Sequence, residues 1–290
     1  MGATIRSFPK ALRTTFTSPL LIIITFATLT ASVIIGATFS IIPLFGQLIA
    51  GPIAATLMAG VLGMIGYAAY ENRGIDTDDY LATIKDRGTN VFAVVLIEQL
   101  IYFFISLFFM ALLFFVFGLG GAFLEQTAQG PDQTSAVAGG LGLGFTVAFV
   151  VFVLVYVVLI AIFQFLTVSV VIGNKSVGDS FRTCFSIIKS NPISVVGYTL
   201  TRAVLSMVVF TASLLLLAVA VETAEVVGVL LGAVVIFCIA AIFTTFFYAF
   251  HAHYYLELPN TPVDILGSNN TEPTQEQIDH PTEQQQDVEI

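Results

Sequence analysis

The sequence predicts an all-α polytopic membrane protein with six transmembrane helices. Its 290 residues are 57% hydrophobic and only 10% charged, whereas a soluble globular chain carries about 25% charged residues. Apolar stretches of 18 or more residues with few charges are typical of bilayer spans. Six such stretches occur, at residues 20–42, 48–70, 91–117, 141–172, 193–220 and 226–250. We expect them to form three hairpins, each of two spans.

The placement of the ten Lys and Arg residues predicts the orientation of these spans. Nine of them fall in three polar segments: Arg6, Lys10 and Arg13; Arg73, Lys85 and Arg87; Lys175, Arg182 and Lys189. The intervening connections at residues 43–47, 118–140 and 221–225 contain none. Because cytoplasmic connections are enriched in Lys and Arg, we expect a multi-pass cell-membrane protein with both termini in the cytoplasm.

The first basic segment predicts an amphipathic helix before the first hairpin. Its apolar side chains recur at helical spacing, opposite the first group of cations. They are Phe8, Leu12 and Phe16. Ser18 and Pro19 then indicate the end of this helix.

Residues 77–87 predict a second amphipathic helix. Asp76 is a suitable N-terminal cap, and Lys85 and Arg87 suit the negative end of the helix dipole. Gly88 is expected to end the helix before the third span begins.

Residues 176–190 predict a third helix of the same kind. Ser176 and Asp179 have the spacing of a capping box, and Asn191 with Pro192 indicates the end.

Each of these helices is expected to lie in the cytoplasmic interface, with its apolar face in lipid and its cations on anionic headgroups. The chain is then three copies of one unit, an interfacial helix followed by a hairpin. The alternative is that the segments are ordinary amphipathic connections. The expected headgroup contacts are Arg6, Lys10, Arg13, Lys85, Arg87, Arg182 and Lys189.

Small residues predict close helix packing in the second span. Ala59 and Gly63 are four residues apart, and Gly66 follows. Such spacing lets helix backbones approach closely within a membrane.

The chain divides into a membrane domain at residues 1–256 and a tail at residues 257–290. The tail has eight acidic residues and no Lys or Arg, among Gln, Asn, Thr and Pro. A segment of this composition buries too little apolar surface to fold, so we expect a disordered cytoplasmic tail. The acidic balance of the chain, with a net charge of −9, is typical of salt-adapted proteins.

Three polar residues inside the spans form a candidate functional cluster. Glu98, Gln164 and Arg202 lie at similar depth, roughly 10–14 Å from the cytoplasmic ends of their spans at 1.5 Å per residue. A charge in hydrocarbon costs at least about 2.5 kcal/mol, so the two charged residues should face the bundle interior. The cluster is either a substrate or ion site, with Gln99 and Tyr198 as further lining, or a structural clasp. By a clasp we mean an interaction between the two charges that only holds the helices in register. The fourth span is long enough for a helix break near Gln164.

No motif for catalysis, metal binding or cofactor binding is present in the sequence, so we expect a protein that is not an enzyme and holds no metal or cofactor. There is no Gly-x-Ser-x-Gly elbow, no phosphate-binding Gly-x-x-x-x-Gly-Lys loop and no His-Glu-x-x-His. Cys184 and Cys238 lack the spacing of a metal site or a disulfide framework. His251 and His253 do not share a helix face, and their aromatic surroundings favour an interfacial belt.

Two segments carry a resemblance to known proteins. They are GDSFRTCF at residues 178–185 with KSNP at 189–192, and FYAFHA at 247–252 with YYL at 254–256. The chain resembles uncharacterised six-span prokaryotic membrane proteins common in salt-loving archaea. More distantly it is similar to the membrane domain attached to some glycerophosphodiester phosphodiesterases, without their catalytic domain. The resemblance implies a six-helix bundle with cytoplasmic amphipathic helices.

Two functions are compatible with this organisation. The first is a non-enzymatic membrane component that organises lipid or a partner protein at the cytoplasmic face. Its partners would be membrane lipids and a cytoplasmic or membrane protein, and not nucleic acid. The alternative is a small transporter or channel whose path passes Glu98, Gln164 and Arg202. A cavity at that level would favour transport, and a dry, closed bundle would exclude it.

Overall fold

The computed structural model describes residues 2–42, 45–71, 73–127, 131–223 and 226–259. Within these ranges it describes the side chains of all residues except 116–145, 217 and 219–231. The described residues form helices and no strand. The helices are α1 (Gly2–Thr17), α2 (Pro19–Phe39), α3 (Phe45–Glu71), α4 (Thr77–Thr127), α5 (Pro131–Phe163), α6 (Leu166–Val171), α7 (Val177–Ser190), α8 (Pro192–Thr223) and α9 (Val226–Glu257).

The predicted all-α fold with six spans is confirmed. Six segments of the described chain are long and apolar enough to cross a membrane. They are Pro19–Phe39, Phe45–Glu71, Thr77–Phe115, Thr146–Val171, Pro192–Leu216 and Gly232–Glu257. The fourth span therefore consists of the second half of α5 together with α6.

The span formed by α3 lies at the centre of the bundle. In its most apolar stretch 56% of residues are buried, compared with 6% in the fourth span and 0% in the fifth. It packs against α2, α4, α6 and α9. The close approach to α4 depends on small residues, since a Cβ added to Gly63 would lie 2.0 Å from Oγ1 of Thr83. The predicted packing role of Ala59 and Gly63 is confirmed.

The second amphipathic helix differs from the prediction, because α4 runs without a break from Thr77 through the third span. Gly88 does not end the helix. It lies where α4 crosses α3, and an added Cβ would be 3.1 Å from the methyl group of Thr56. Glycine inside a helix costs about 1 kcal/mol relative to alanine, and we infer that this close packing offsets the cost.

The burial of Arg87 contradicts its predicted role as a headgroup contact. Its exposed fraction is only 3%. It follows Thr83 by four residues, so it lies on the helix face that packs against α3. Lys85 is exposed, as a headgroup contact requires.

The first helix, α1, is docked on α9 through small side chains rather than lying only in the lipid interface. The residues buried at four-residue intervals are Ala3, Ser7, Ala11 and Thr15. The ring of Phe8 makes edge contacts with two phenylalanines of α9. Leu12 and Phe16 stay exposed on the outer side.

Glu257 belongs to the bundle and not to the tail, which corrects the predicted domain boundary. It is the last residue of α9, and Leu258 after it is buried. Its carboxylate accepts a hydrogen bond of 2.8 Å from Nε of Arg6 and forms an ion pair with Lys10. Residues 260–290 lie outside the described residues, so the disordered tail stays a prediction.

The third amphipathic helix, α7, is confirmed together with its capping box. The main-chain N–H of Asp179 donates to Oγ of Ser176 at 3.3 Å, and that hydroxyl donates to the Asp179 carboxylate at 2.8 Å. The helix buries Cys184 and packs against α6. Burial raises the pKa of the Cys184 thiol to about 12, so this thiol stays protonated at neutral pH.

Candidate functional site

The fourth span is interrupted at Gln164, where the sequence leaves room for a break. Helix α5 ends at Phe163, and α6 begins at Leu166. A break inside a membrane span frees main-chain groups, which are tolerated there only with new partners. The Gln164 carbonyl finds one, since the His251 ring donates a hydrogen bond to it.

A chain of hydrogen bonds connects this break to the buried arginine. The Tyr198 hydroxyl is bonded to Nδ1 of His251, and Arg202 is bonded to Tyr198. Because arginine can only donate, the Tyr198 oxygen accepts from Arg202 and its proton goes to Nδ1. The Nε2 proton of His251 is then directed at the Gln164 carbonyl. His251 is buried and stacks on Phe165, so its predicted place in an interfacial belt is wrong.

Glu98, Gln164 and Arg202 lie together and line two adjoining cavities, as their similar depth predicts. One cavity, of about 400 Å³, lies between α4, α5 and α8. The other, of about 210 Å³, lies between the same cluster and helices α3 and α9. We call the two together the polar chamber. Its further lining includes Tyr102, Tyr156, Thr199 and Ser206 in the first cavity, and Leu62, Thr167, Phe247 and Tyr248 in the second.

The two charges of the chamber attract each other without closing into a direct pair. Glu98 accepts a hydrogen bond from the Tyr102 hydroxyl and is attracted by Arg202. Among the described residues, the ion pairs with N–O distances up to 4.0 Å do not include one between Glu98 and Arg202. The carboxylate and the guanidinium therefore both remain accessible from the chamber.

The Gln164 side chain has an unsatisfied acceptor at this site. Its amide nitrogen donates to Oγ1 of Thr199 at 2.8 Å and to the Ala161 carbonyl at 3.0 Å. Its Oε1 atom is buried and has no hydrogen-bond partner in the described part of the chain. Leaving such an acceptor unpaired costs about 1–3 kcal/mol. A donor on a bound molecule would remove this cost.

The larger cavity opens sideways between α5 and α8. Three of the residues that line it, Ile160, Ala203 and Ser206, are exposed on the outer surface of these helices. The two helices make little contact with each other, because α8 packs mainly on α9. A molecule in the surrounding hydrocarbon can therefore reach the polar groups without crossing the bundle core.

Two residues expected as further lining have other roles. Gln99 faces α3, where a Cβ added to Gly51 would lie 1.8 Å from its amide nitrogen. Tyr198 is fully buried and supports Arg202 from behind. The role of His251 was missed, because its partners, Tyr198 and Gln164, come from two other spans.

The predicted headgroup contacts lie apart from the chamber. Apart from Arg87, they are exposed, and whether they bind headgroups stays a prediction. The exposed ones are Arg6, Lys10, Arg13, Lys85, Arg182 and Lys189.

Comparison with known proteins gives one match. A family model described as "Domain of unknown function (DUF7847)" matches residues 3–258, from the start of α1 to the end of α9. No curated protein and no solved structure matches the chain. Since the matching model covers most of the sequence, the chain belongs to the family of this domain of unknown function, DUF7847.

Proposed function

We propose that this protein is a small membrane transporter that moves a zwitterionic amphiphile past the polar chamber. The observation that supports it most is that two cavities share Glu98, Gln164 and Arg202 at a break in a membrane span. Broken helices with polar groups near the membrane interior are typical of the binding sites of transporters.

The polar groups of the chamber suit a ligand with both charges. The Arg202 guanidinium can bind a phosphate or carboxylate through two parallel hydrogen bonds, and the Glu98 carboxylate can bind an ammonium group. The Gln164 side chain lines both cavities beside these two charges. The larger cavity, at about 400 Å³, is within the range of about 300–1,000 Å³ that is typical of small-molecule sites. It has room for a polar head, while an apolar body stays in lipid through the lateral opening.

A structural clasp is less well supported by the same residues. A clasp that fixes register would bring Glu98 and Arg202 into direct contact and exclude other molecules. The two groups are instead held by Tyr102 and Tyr198 on their own helices, with cavities beside them.

The proposal is tested in proteoliposomes with a phosphatidylethanolamine that carries an NBD fluorophore on one acyl chain. Dithionite quenching measures its movement between leaflets. We expect the wild type to accelerate this movement, and Glu98→Gln or Arg202→Met to reduce the acceleration by tenfold or more. Thr201→Val is the matched control, since the Thr201 hydroxyl bonds only its own helix at Gly197 and does not line the chamber.

Exchange of the two charges separates a site from a clasp. The double variant with Glu98→Arg and Arg202→Glu keeps opposite charges at the same depth. Recovered assembly without recovered movement of the lipid supports the site. Recovery of both would show that only the attraction between the charges matters, which would overturn the proposal.

A second proposed function is the organisation of lipid or a partner protein at the cytoplasmic face. It is supported by the outer side of α1, where Leu12 and Phe16 are exposed beside the cations of the same helix. Deletion of residues 2–17 should then abolish co-purification of anionic lipid. Unchanged lipid content would contradict this function.

We also propose that the protein lies in the cell membrane with both termini in the cytoplasm. The cation distribution supports this orientation, and the resemblance of residues 178–192 and 247–256 to proteins of salt-loving archaea supports a prokaryotic membrane. Single cysteines placed at Arg13 and at Gln133 in a variant with Cys184 and Cys238 replaced should be labelled from opposite sides. Labelling of both from one side would exclude this topology.

A further inference from the structure

A separate cavity of about 510 Å³ lies between α1 with its junction to α2, the end of α3 with the connection that follows it, and α9. We name it the basic cavity, because Lys10, Arg13 and Arg73 line it and no carboxylate of the described residues does. Hydroxyl groups of the α1–α2 junction complete its polar lining: Thr14, Thr17 and Ser18. It shares no lining residue with the polar chamber.

The three cations are held in different ways. Arg73 donates to Asp79 at 2.7 Å and also pairs with Glu71, and both bonds raise the pKa of Arg73. Lys10 is paired with Glu257. Arg13 forms no ion pair with the residues that the structure describes. The first two cations are therefore fixed at the walls, and Arg13 is available to an incoming anion.

The start of α2 offers few free amide donors to this cavity. Its first residue, Pro19, has no N–H, and the N–H of Leu21 donates to the Ser18 carbonyl at 3.0 Å. Ser18 contributes its side-chain hydroxyl instead, which makes no capping bond and lines the cavity.

A histidine on α9 closes the opposite wall. Nε2 of His253 and the hydroxyl of Thr14 are hydrogen bonded at 2.9 Å. This contact joins α9 to α1, which pack directly on each other, and keeps both side chains in place. The cavity is thus built from side chains fixed by several helices, and not from flexible surface lysines alone.

We propose that the basic cavity binds a phosphate group, either on an anionic lipid headgroup or as a free phosphate. Guanidinium groups, ammonium groups and hydroxyls are donors that recognise phosphate in proteins. This inference goes beyond the transport function, because it concerns a different site with its own ligand.

The test uses the purified full-length protein in a non-ionic detergent and isothermal titration calorimetry. The probes are inorganic phosphate, dihexanoyl phosphatidylglycerol and dihexanoyl phosphatidylcholine. We expect phosphate or phosphatidylglycerol to bind, and Arg13→Gln to weaken that binding by tenfold or more. Lys175→Gln, which removes a cation that lines neither the basic cavity nor the polar chamber, should change it by less than twofold.

The probes distinguish the two sources of phosphate. Binding of phosphatidylglycerol without inorganic phosphate identifies a lipid headgroup, and comparable binding of both identifies the phosphate group alone. Equal binding of phosphatidylcholine, equal losses in the Arg13→Gln and Lys175→Gln variants, or no binding of any probe would overturn the proposal. If Arg13→Gln lowers the unfolding temperature, Arg13→Lys and Thr14→Val make the same test with smaller changes in volume and charge.

Discussion

The polar chamber carries one carboxylate and one guanidinium within the membrane, whereas the basic cavity gathers three cations at one end of the bundle. The chamber is formed by side chains in the interior of long spans, among them Glu98 and Arg202. The basic cavity is formed near helix ends and connections, with Arg13 exposed to solvent.

The difference follows from the cost of charge in the two environments. Within hydrocarbon an uncompensated charge costs several kcal/mol, so the chamber balances its two charges. At the interface water solvates each cation, so an excess of positive charge can be tolerated there and attracts anions. A ligand for the chamber should therefore carry both signs, and a ligand for the basic cavity should be negative.

The largest effect should come from removal of one charge in the chamber. Arg202→Met leaves Glu98 without its attracting charge and Tyr198 without its donor. We expect lipid movement in the NBD assay to fall by tenfold or more, and the free energy of unfolding to fall by about 3 kcal/mol. Unfolding in increasing SDS measures the stability. Unchanged values in both measurements would show that the chamber tolerates an unbalanced charge, and the comparison would fail.

A smaller effect is expected from the histidines, one in each region. His251→Phe keeps the stacking on Phe165 but leaves the Tyr198 hydroxyl proton without an acceptor and the Gln164 carbonyl without a donor. This should lower the free energy of unfolding by about 2 kcal/mol. His253→Phe removes only the bond to Thr14 at a less buried position and should cost less. The same SDS titration compares the variants, and an equal loss in both would contradict the difference in burial.

Helix α3 borders both regions, so a change in its packing should affect them together. It lines the chamber through Leu62 and the basic cavity through Ala68. Gly63→Ala forces a Cβ against Thr83 and should cost about 1–2 kcal/mol. Gly36→Ala is the control, since its added Cβ meets nothing within 4 Å. Lipid movement and phosphate binding should both weaken in Gly63→Ala, and neither should weaken in Gly36→Ala. A loss of only one of these activities would show that the polar chamber and the basic cavity do not depend on the same packing.

The smallest expected effect is that of salt, which should weaken phosphate binding at the basic cavity more than lipid movement through the polar chamber. Raising sodium chloride from 50 mM to 500 mM shortens the distance over which exposed charges act. Phosphate binding at the basic cavity should weaken several-fold in calorimetry. Lipid movement through the chamber should stay within twofold, since buried charges are screened much less. Equal salt dependence would indicate that the chamber is as open to water as the basic cavity.

Features with local causes were predictable from the sequence. The spans follow from apolar length, and the capping box of α7 follows from the spacing of Ser176 and Asp179. The polar cluster was predictable because charged residues are rare within hydrocarbon, so Glu98 and Arg202 are conspicuous. The function of the cluster was not predictable, because it depends on whether space remains between the helices.

Features that depend on a partner helix were missed. Gly88 lies inside α4 because the helix packs closely against Thr56 of α3 at this point. Arg87 is buried because it lies on the face of α4 that packs against α3. The role of His251 requires an acceptor on the fourth span and a hydroxyl on α8. No sequence periodicity within one helix contains this information.

The docking of α1 on α9 places a condition on the order of assembly. The small-residue face of α1 is complementary to α9, so this face stays uncovered while the five spans between the two helices are made. The ion pairs of Arg6 and Lys10 with Glu257 can form only after α9 has been made. His253 of α9 and residues of α1 both line the basic cavity. The proposed anion site is therefore complete only when the span formed by α9 has been inserted. Phosphate binding would then be a measure of how much of the protein has assembled its full bundle.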